Sequence, residues 1–207
     1  QNIYPEAPIY TLLYNPDKAS DFYRGKDIRT SFIQKLPGGV KHYQWYLPFM
    51  PHAYESLDLS GYDVVITSSS SLAKGVITDP KTLHICYCHT PTRYLWMDRL
   101  SYVKELKYPK IIKMYLPLLL NKLRVWDALA VNRVDKFIAN SKTVRARINK
   151  YYKRGSDVIY PPVQVSKFHT VEKPGDFFLA GGRLVAYKRF DMTIQAFNKL
   201  GLPLKVF

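Results

Sequence analysis

An α/β fold, with a parallel sheet covered by helices on both faces, is predicted by three features of this 207-residue sequence. Apolar runs of strand length alternate with longer helical stretches, which is the pattern of repeated strand-helix-strand units. Several of the runs are almost continuously apolar, as central parallel strands are. Hydrophobic residues make up 47% of the chain, enough for a substantial core and too many for a disordered one.

The predicted strands, in chain order, are Ile9-Tyr10-Thr11-Leu12-Leu13, Val64-Val65-Ile66, Leu83-His84-Ile85-Cys86-Tyr87, Lys136-Phe137-Ile138-Ala139, Val158-Ile159-Tyr160, Phe177-Phe178-Leu179 and Leu204-Lys205-Val206-Phe207. Pro37-Gly38-Gly39, which follows Phe32-Ile33-Gln34-Lys35-Leu36, reads as an ordinary loop. Ser68 to Ser71 follow the second strand, where they either cap the Leu72-Ala73-Lys74 turn or touch a ligand; the cap is the preferred reading. The longest helix is predicted over 115–134, because Leu116, Leu119, Leu120, Leu123, Trp126, Leu129, Ala130 and Val134 keep three-four spacing, with Pro117 in the first turn. A second helix follows Asn140-Ser141, either of which can cap it. It carries Val144, Ile148 and Tyr151 inward and Lys142, Arg145, Arg147 and Lys150 around the rest. A third is predicted over 191–197.

Pro161-Pro162 ends a strand and 163–175 lacks periodicity, so a domain boundary is placed there, giving domains 1–162 and 163–207. The second holds only strand, turn, helix and strand, too little to close a sheet. The first begins without a strand leading into a Gly-rich turn. The sequence is therefore expected to lack both ends of a longer protein.

Lys plus Arg number 31 against 16 Asp plus Glu, a net charge of +15, so an acidic partner is expected at some surface: nucleic acid, anionic lipid or a phosphorylated substrate. No apolar run reaches the roughly 18 residues of a spanning helix. Cys86 and Cys88 are expected to be buried free thiols in a reducing compartment. Zinc is not expected at Cys86-Tyr87-Cys88-His89, since no second ligand pair stands nearby at ligand spacing. Gly181-Gly182-Arg183-Leu184-Val185-Ala186-Tyr187-Lys188-Arg189 sets two cations between a strand and a helix N-terminus, a setting suited to a diphosphate, with a solvated basic turn as the alternative. His89, after a buried strand, lies at a strand's C-terminal end, where α/β folds bind ligands.

Four stretches in order resemble the family 4 retaining glycosyltransferases: His89-Thr90-Pro91-Thr92-Arg93-Tyr94-Leu95-Trp96; Phe137-Ile138-Ala139-Asn140-Ser141 with Val144; Val158-Ile159-Tyr160-Pro161-Pro162-Val163 with Phe168; and Gly182-Arg183-Leu184-Val185 with Lys188-Arg189. The likeness is nearest to bacterial mannosyltransferases of O-antigen and exopolysaccharide synthesis. It implies a GT-B build: a Rossmann-like acceptor-side domain over 1–162 and the start of a second Rossmann-like domain, the donor domain, with the active site between them. It implies that His89, Arg183 and Lys188 are catalytic and that Gly182, Arg183, Lys188, Asn140 and Ser141 bind the donor, GDP-mannose or another nucleotide sugar. Arg93, Tyr94 and Trp96 are expected on the acceptor side, or else as core and rim of a short helix.

The resemblance further implies metal-independent transfer without a cofactor, onto a lipid-linked glycan acceptor. The enzyme would be cytoplasmic and peripheral at the inner face of the membrane, held by a basic surface around Lys104, Lys107, Lys110, Lys113, Lys122 and Arg124. The family's pair of glutamates, seven residues apart, is expected beyond Phe207, so this stretch alone is expected to be inactive. A non-catalytic scaffold subunit and a basic nucleic-acid-binding module are the competing readings. The second is disfavoured because no recognition-helix, zinc-finger or RNP signature is present, and no nucleic-acid partner is expected.

Overall fold

The computed structural model describes residues 3–97, 103, 109–170, 172–185 and 188–207. Two compact units form, Gln1–Pro161 and Pro162–Phe207, each with parallel sheet of its own.

In the first unit, β1 (Ile9–Thr11) pairs in parallel with β2 (Ile28–Thr30), with Ile9 opposite Ile28. The sequence pattern misses β2, because Ile28-Arg29-Thr30 is short and has a cation at its centre. After α1 (Met50–Glu55), four strands form one parallel sheet in chain order: β3 (Val64–Ser69), β4 (Leu83–Cys88), β5 (Lys136–Ala139) and β6 (Asp157–Val158). A single 3-10 turn, Ala73–Gly75, lies between β3 and β4. Between β4 and β5 stand α2 (Arg93–Trp96) and α3 (Lys110–Ala130), and α4 (Lys142–Tyr152) connects β5 to β6.

Two local expectations need correction. Helix α3 starts at Lys110, so Pro117 lies inside it rather than in its first turn, and a 3-10 turn over Val131–Arg133 replaces the predicted last helical residues. The serines do not cap the turn after β3: its N-cap is Leu72, with no side-chain bond. Phe32–Lys35 is a 3-10 helix, capped by Ser31, whose hydroxyl accepts from the Ile33 N–H.

Alternation along the strands decides where the core lies. His84, Cys86 and Cys88 of β4, with Phe137 and Ala139 of β5, point to one face. There they meet Val144, Ile148 and Tyr152 of α4. Tyr152, not Tyr151, completes the buried stripe of that helix. Each such large apolar side chain contributes about 1.5–3 kcal/mol when fully buried. A second cluster joins Leu116, Leu120 and Leu123 of α3 to Ile33, Met50, Ala53, Leu72 and Leu95. The opposite face of the sheet carries Val64, Ile66 and Leu83, all exposed. Among the described residues, helices thus cover one face of this sheet, not the predicted two.

The second unit is one strand-helix-strand piece: β7 (Phe178–Ala180), α5 (Phe190–Leu200) and β8 (Leu204–Val206), the strands parallel with Phe178 opposite Leu204. Gly182 has φ 140°, a backbone region that side-chain-bearing residues rarely adopt, so the turn out of β7 depends on glycine at that position.

Candidate functional site

Parallel strands present their ligand-binding residues at their C-terminal ends. Here the ends of β3, β4 and β5 bring together Ser68, His89, Asn140 and Ser141. His89 extends β4 by one residue, its N–H donating to the Ser69 carbonyl at 2.8 Å. Its Nε2 lies 2.9 Å from the Ser68 hydroxyl, and its ring meets the edge of Tyr87 at 5.3 Å. By strand parity, Ser68, Tyr87 and His89 belong to the face that carries Val64 and Ile66, opposite Cys86 and Cys88. Cys86-Tyr87-Cys88-His89 therefore does not aim its thiols and its imidazole at one point.

The Asn140 N–H donates to the Cys88 carbonyl at 3.3 Å, which sets the end of β5 beside the end of β4. Ser141 is the cap of α4: its hydroxyl accepts from the Val144 N–H at 3.2 Å and donates to Asn140 Oδ1 at 3.1 Å. Arg147, one face of the helix further on, reaches Thr90 Oγ1 at 3.5 Å. An imidazole with a hydroxyl partner, an amide side chain and a guanidinium thus gather at one edge of the sheet. Such a set can hydrogen-bond sugar hydroxyls and stabilise a growing negative charge.

Behind this edge lies a buried polar cluster. The Asp127 carboxylate is fully buried and accepts from Lys74 Nζ, from Thr92 Oγ1 at 2.8 Å, from Trp96 Nε1 at 2.8 Å and from the Tyr152 hydroxyl at 3.0 Å. Lys74 is buried as well and also donates to the Ser71 carbonyl at 2.9 Å. Burial, together with the Asp127 charge, pushes the Tyr152 hydroxyl well above the usual phenol range, so it stays a donor. The cysteines beside it interact: the Cys86 partner and burial push the Cys88 thiol up, while the bond with Cys88 holds Cys86 below its ordinary value. Both are free thiols.

Sequence reasoning missed Lys74, Asp127 and the pairing of Ser68 with His89. One signal was present. Asp127 falls on the apolar stripe of α3 formed by Leu116, Leu120, Leu123 and Ala130, a position where an acid has to be satisfied internally.

Of the residues expected on the acceptor side, Arg93 is exposed. The Tyr94 hydroxyl lies 2.9 Å from Ser71 Oγ. Trp96 is turned inward, its indole donating to Asp127 and its ring packed against Tyr151 and Tyr152.

In the second unit, Gly182, Arg183 and Lys188 occupy the connection from β7 to α5, and all three are exposed. Lys188 donates its N–H to the Val185 carbonyl at 2.9 Å. Ala186 and Tyr187 of the predicted motif lie outside the described residues. Arg189 caps α5 from the left-handed region, φ 51°, and pairs with Asp191 at 3.1 Å.

A depression of about 340 Å³, lined by Ile77, Asp79, Thr82, Arg133 and Asp135 among others, opens at the N-terminal ends of β4 and β5, the edge away from His89. Among the described residues no helix is long and apolar enough to cross a membrane.

Comparison with curated proteins and with solved structures found no match. The model of Glycosyltransferase Family 4 matches residues 9–167, which takes in β1 to β6, the His89 edge and the buried cluster and stops before Arg183. With that match over three quarters of its length and a parallel α/β sheet presenting His89, Asn140 and Ser141 at its strand ends, the chain belongs to glycosyltransferase family 4.

Proposed function

We propose that the protein transfers a hexose, with retention, from a nucleotide sugar to a lipid-linked glycan acceptor, with mannose from GDP-mannose as the first donor to test. The observation that carries this reading is His89 at the end of β4, hydrogen-bonded to Ser68 within the family match. In this reading His89 contacts the transferred sugar, with Asn140 and Ser141 beside it. Arg183 and Lys188 take the diphosphate, and Gly182 lets the backbone approach it. Their fixed cations stabilise charge on the leaving nucleoside diphosphate, so a metal has no required part in the step.

An acceptor anchored in an anionic bilayer fits the outer side of α3. Ile111, Met114, Tyr115, Leu118, Val125 and Leu129 are between 56% and 70% exposed and repeat every three or four residues, opposite the buried stripe. Leu129, predicted to face the core, belongs to this outer stripe. Lys122 lies within it, Lys110 lies at its start, and the helix's only acid, Asp127, is buried. Lys104 and Lys107, part of the predicted basic surface, lie outside the described residues. An apolar stripe with cations is the pattern of a helix lying in a membrane interface, which here would be the inner face of the cytoplasmic membrane.

The test is release of nucleoside diphosphate by the intact protein from GDP-mannose, UDP-glucose or UDP-GlcNAc in the presence of membrane lipid extract. Release from one donor, abolished in His89→Ala, Arg183→Ala and Lys188→Ala, is the expected result. No release from any donor overturns catalysis and leaves a scaffold role.

A further inference from the structure

We propose that Asp127 is a positioning residue: through four hydrogen bonds it holds the turn that leaves β4 just after His89 against the Ser71–Lys74 segment that leaves β3 just after Ser68. The Ser68–His89 contact joins one exposed and one half-buried side chain at the point where the β3–β4 ladder ends. The ladder bond from the His89 N–H to the Ser69 carbonyl sets the two backbones side by side, and the loops that continue past it settle how the two strand ends stand.

Those loops are tied from below. Thr92 Oγ1 lies 2.8 Å from Asp127 Oδ1 and 3.2 Å from the Ser71 carbonyl, its single proton serving the closer carboxylate. Lys74 bridges Asp127 and that same Ser71 carbonyl. The Tyr152 hydroxyl donates to Asp127 and accepts the Thr92 N–H at 3.2 Å. One carboxylate thus joins the loop after β3, the loop after β4 and helix α4 to α3. A buried ion pair is a weak source of net stability compared with apolar packing, but its directional bonds admit one arrangement of the groups around it.

The proposal takes from the functional reading only the importance of His89, and its test does not depend on turnover. The experiment records the His89 Nε2 resonance in labelled full-length chain, and amide exchange over 89–95, for Thr92→Val, Tyr152→Phe, Thr92→Ser and Leu120→Ala. Thr92→Val and Tyr152→Phe are expected to move the His89 resonance and speed local exchange by about tenfold. Thr92→Ser, which keeps the hydroxyl, is expected to retain the native signature. Leu120→Ala removes packing from the same helix outside the hydrogen-bonded cluster, so it should lower the unfolding midpoint while leaving the resonance in place. An unmoved resonance in Thr92→Val and Tyr152→Phe, or an equal shift in Leu120→Ala, overturns the proposal. If the shifts appear and the intact protein transfers no sugar, the positioning role stands and the functional reading falls.

Discussion

The two units of this chain use similar strand and helix patterns with very different results. The first buries two apolar clusters and a charged pair; in the second, no described residue is buried, and Phe178, Leu179, Met192, Ile194, Leu200 and Phe207 are all exposed. Helix α5 is amphipathic and its strands pair in register, so local pattern is not what it lacks. Two strands and one helix offer too few facing surfaces to remove their apolar side chains from water. Secondary structure in the two units is equally legible, whereas energetic weight rests in the first.

The sharpest way to break this contrast is to remove one half of a charged pair in each unit. Asp127→Ala strands the Lys74 ammonium in the core and should cost about 3–5 kcal/mol in urea unfolding. Asp191→Asn, in the exposed pair with Arg189, should leave the curve unchanged. A matched pair of glycines comes next. A Cβ on Gly75 would stand 2.2 Å from the Trp126 ring, which is fixed by its indole bond to Glu55 at 2.7 Å and by the Arg133 guanidinium over its face. Gly75→Ala should therefore cost about 1–3 kcal/mol. A Cβ on Gly181 would stand 2.3 Å from Phe207, but that ring is 75% exposed and can swing away, so Gly181→Ala should be nearly silent.

Smaller is Ser141→Ala, which removes the cap of α4 and should cost about 1 kcal/mol by thermal denaturation; α5 has no capping side chain to lose. Smallest at neutral pH is His84. Burial holds its imidazole below the ordinary 6.5, against the bonds and charge that favour protonation. The folded state therefore prefers neutral His84. Its contribution is complete above about pH 6.5 and is lost as pH falls through the depressed folded value, because the unfolded chain takes up the proton first. Urea midpoints for the wild type and His84→Gln should diverge in slope below pH 6.5, with the wild type falling faster; parallel slopes would show that His84 is not the titrating group.

Each of the seven predicted strand stretches overlaps a strand, Val158-Ile159-Tyr160 by one residue, but β2 was missed because three residues around an arginine leave no run to detect. The cap at Ser141 was legible because its partner is three residues away. The candidate site was legible only in part. His89 was marked by its position after a strand, Asn140 and Ser141 by the resemblance alone, while Ser68 was assigned a capping role and is instead the hydrogen-bond partner of His89. Trp96 lies in a stretch that carries the resemblance and was expected on the acceptor side, or else as core or rim of a short helix; in the fold its indole N–H is held by a carboxylate 31 residues away.

Alternation in β4, the three-four stripe of α3 and the cap of α4 are set by residues within one or two turns of each other, so the sequence by itself determined them. Only the tertiary structure decided that Lys74 meets Asp127 across 53 residues, that Leu129 turns outward while Asp127 turns in, and that one face of the β3–β6 sheet stays uncovered among the described residues. The physical reason is that strand and helix periodicity specify which residues share a face, while the identity of what covers that face depends on how distant segments pack, and a buried charge is tolerable only where that packing delivers its partner.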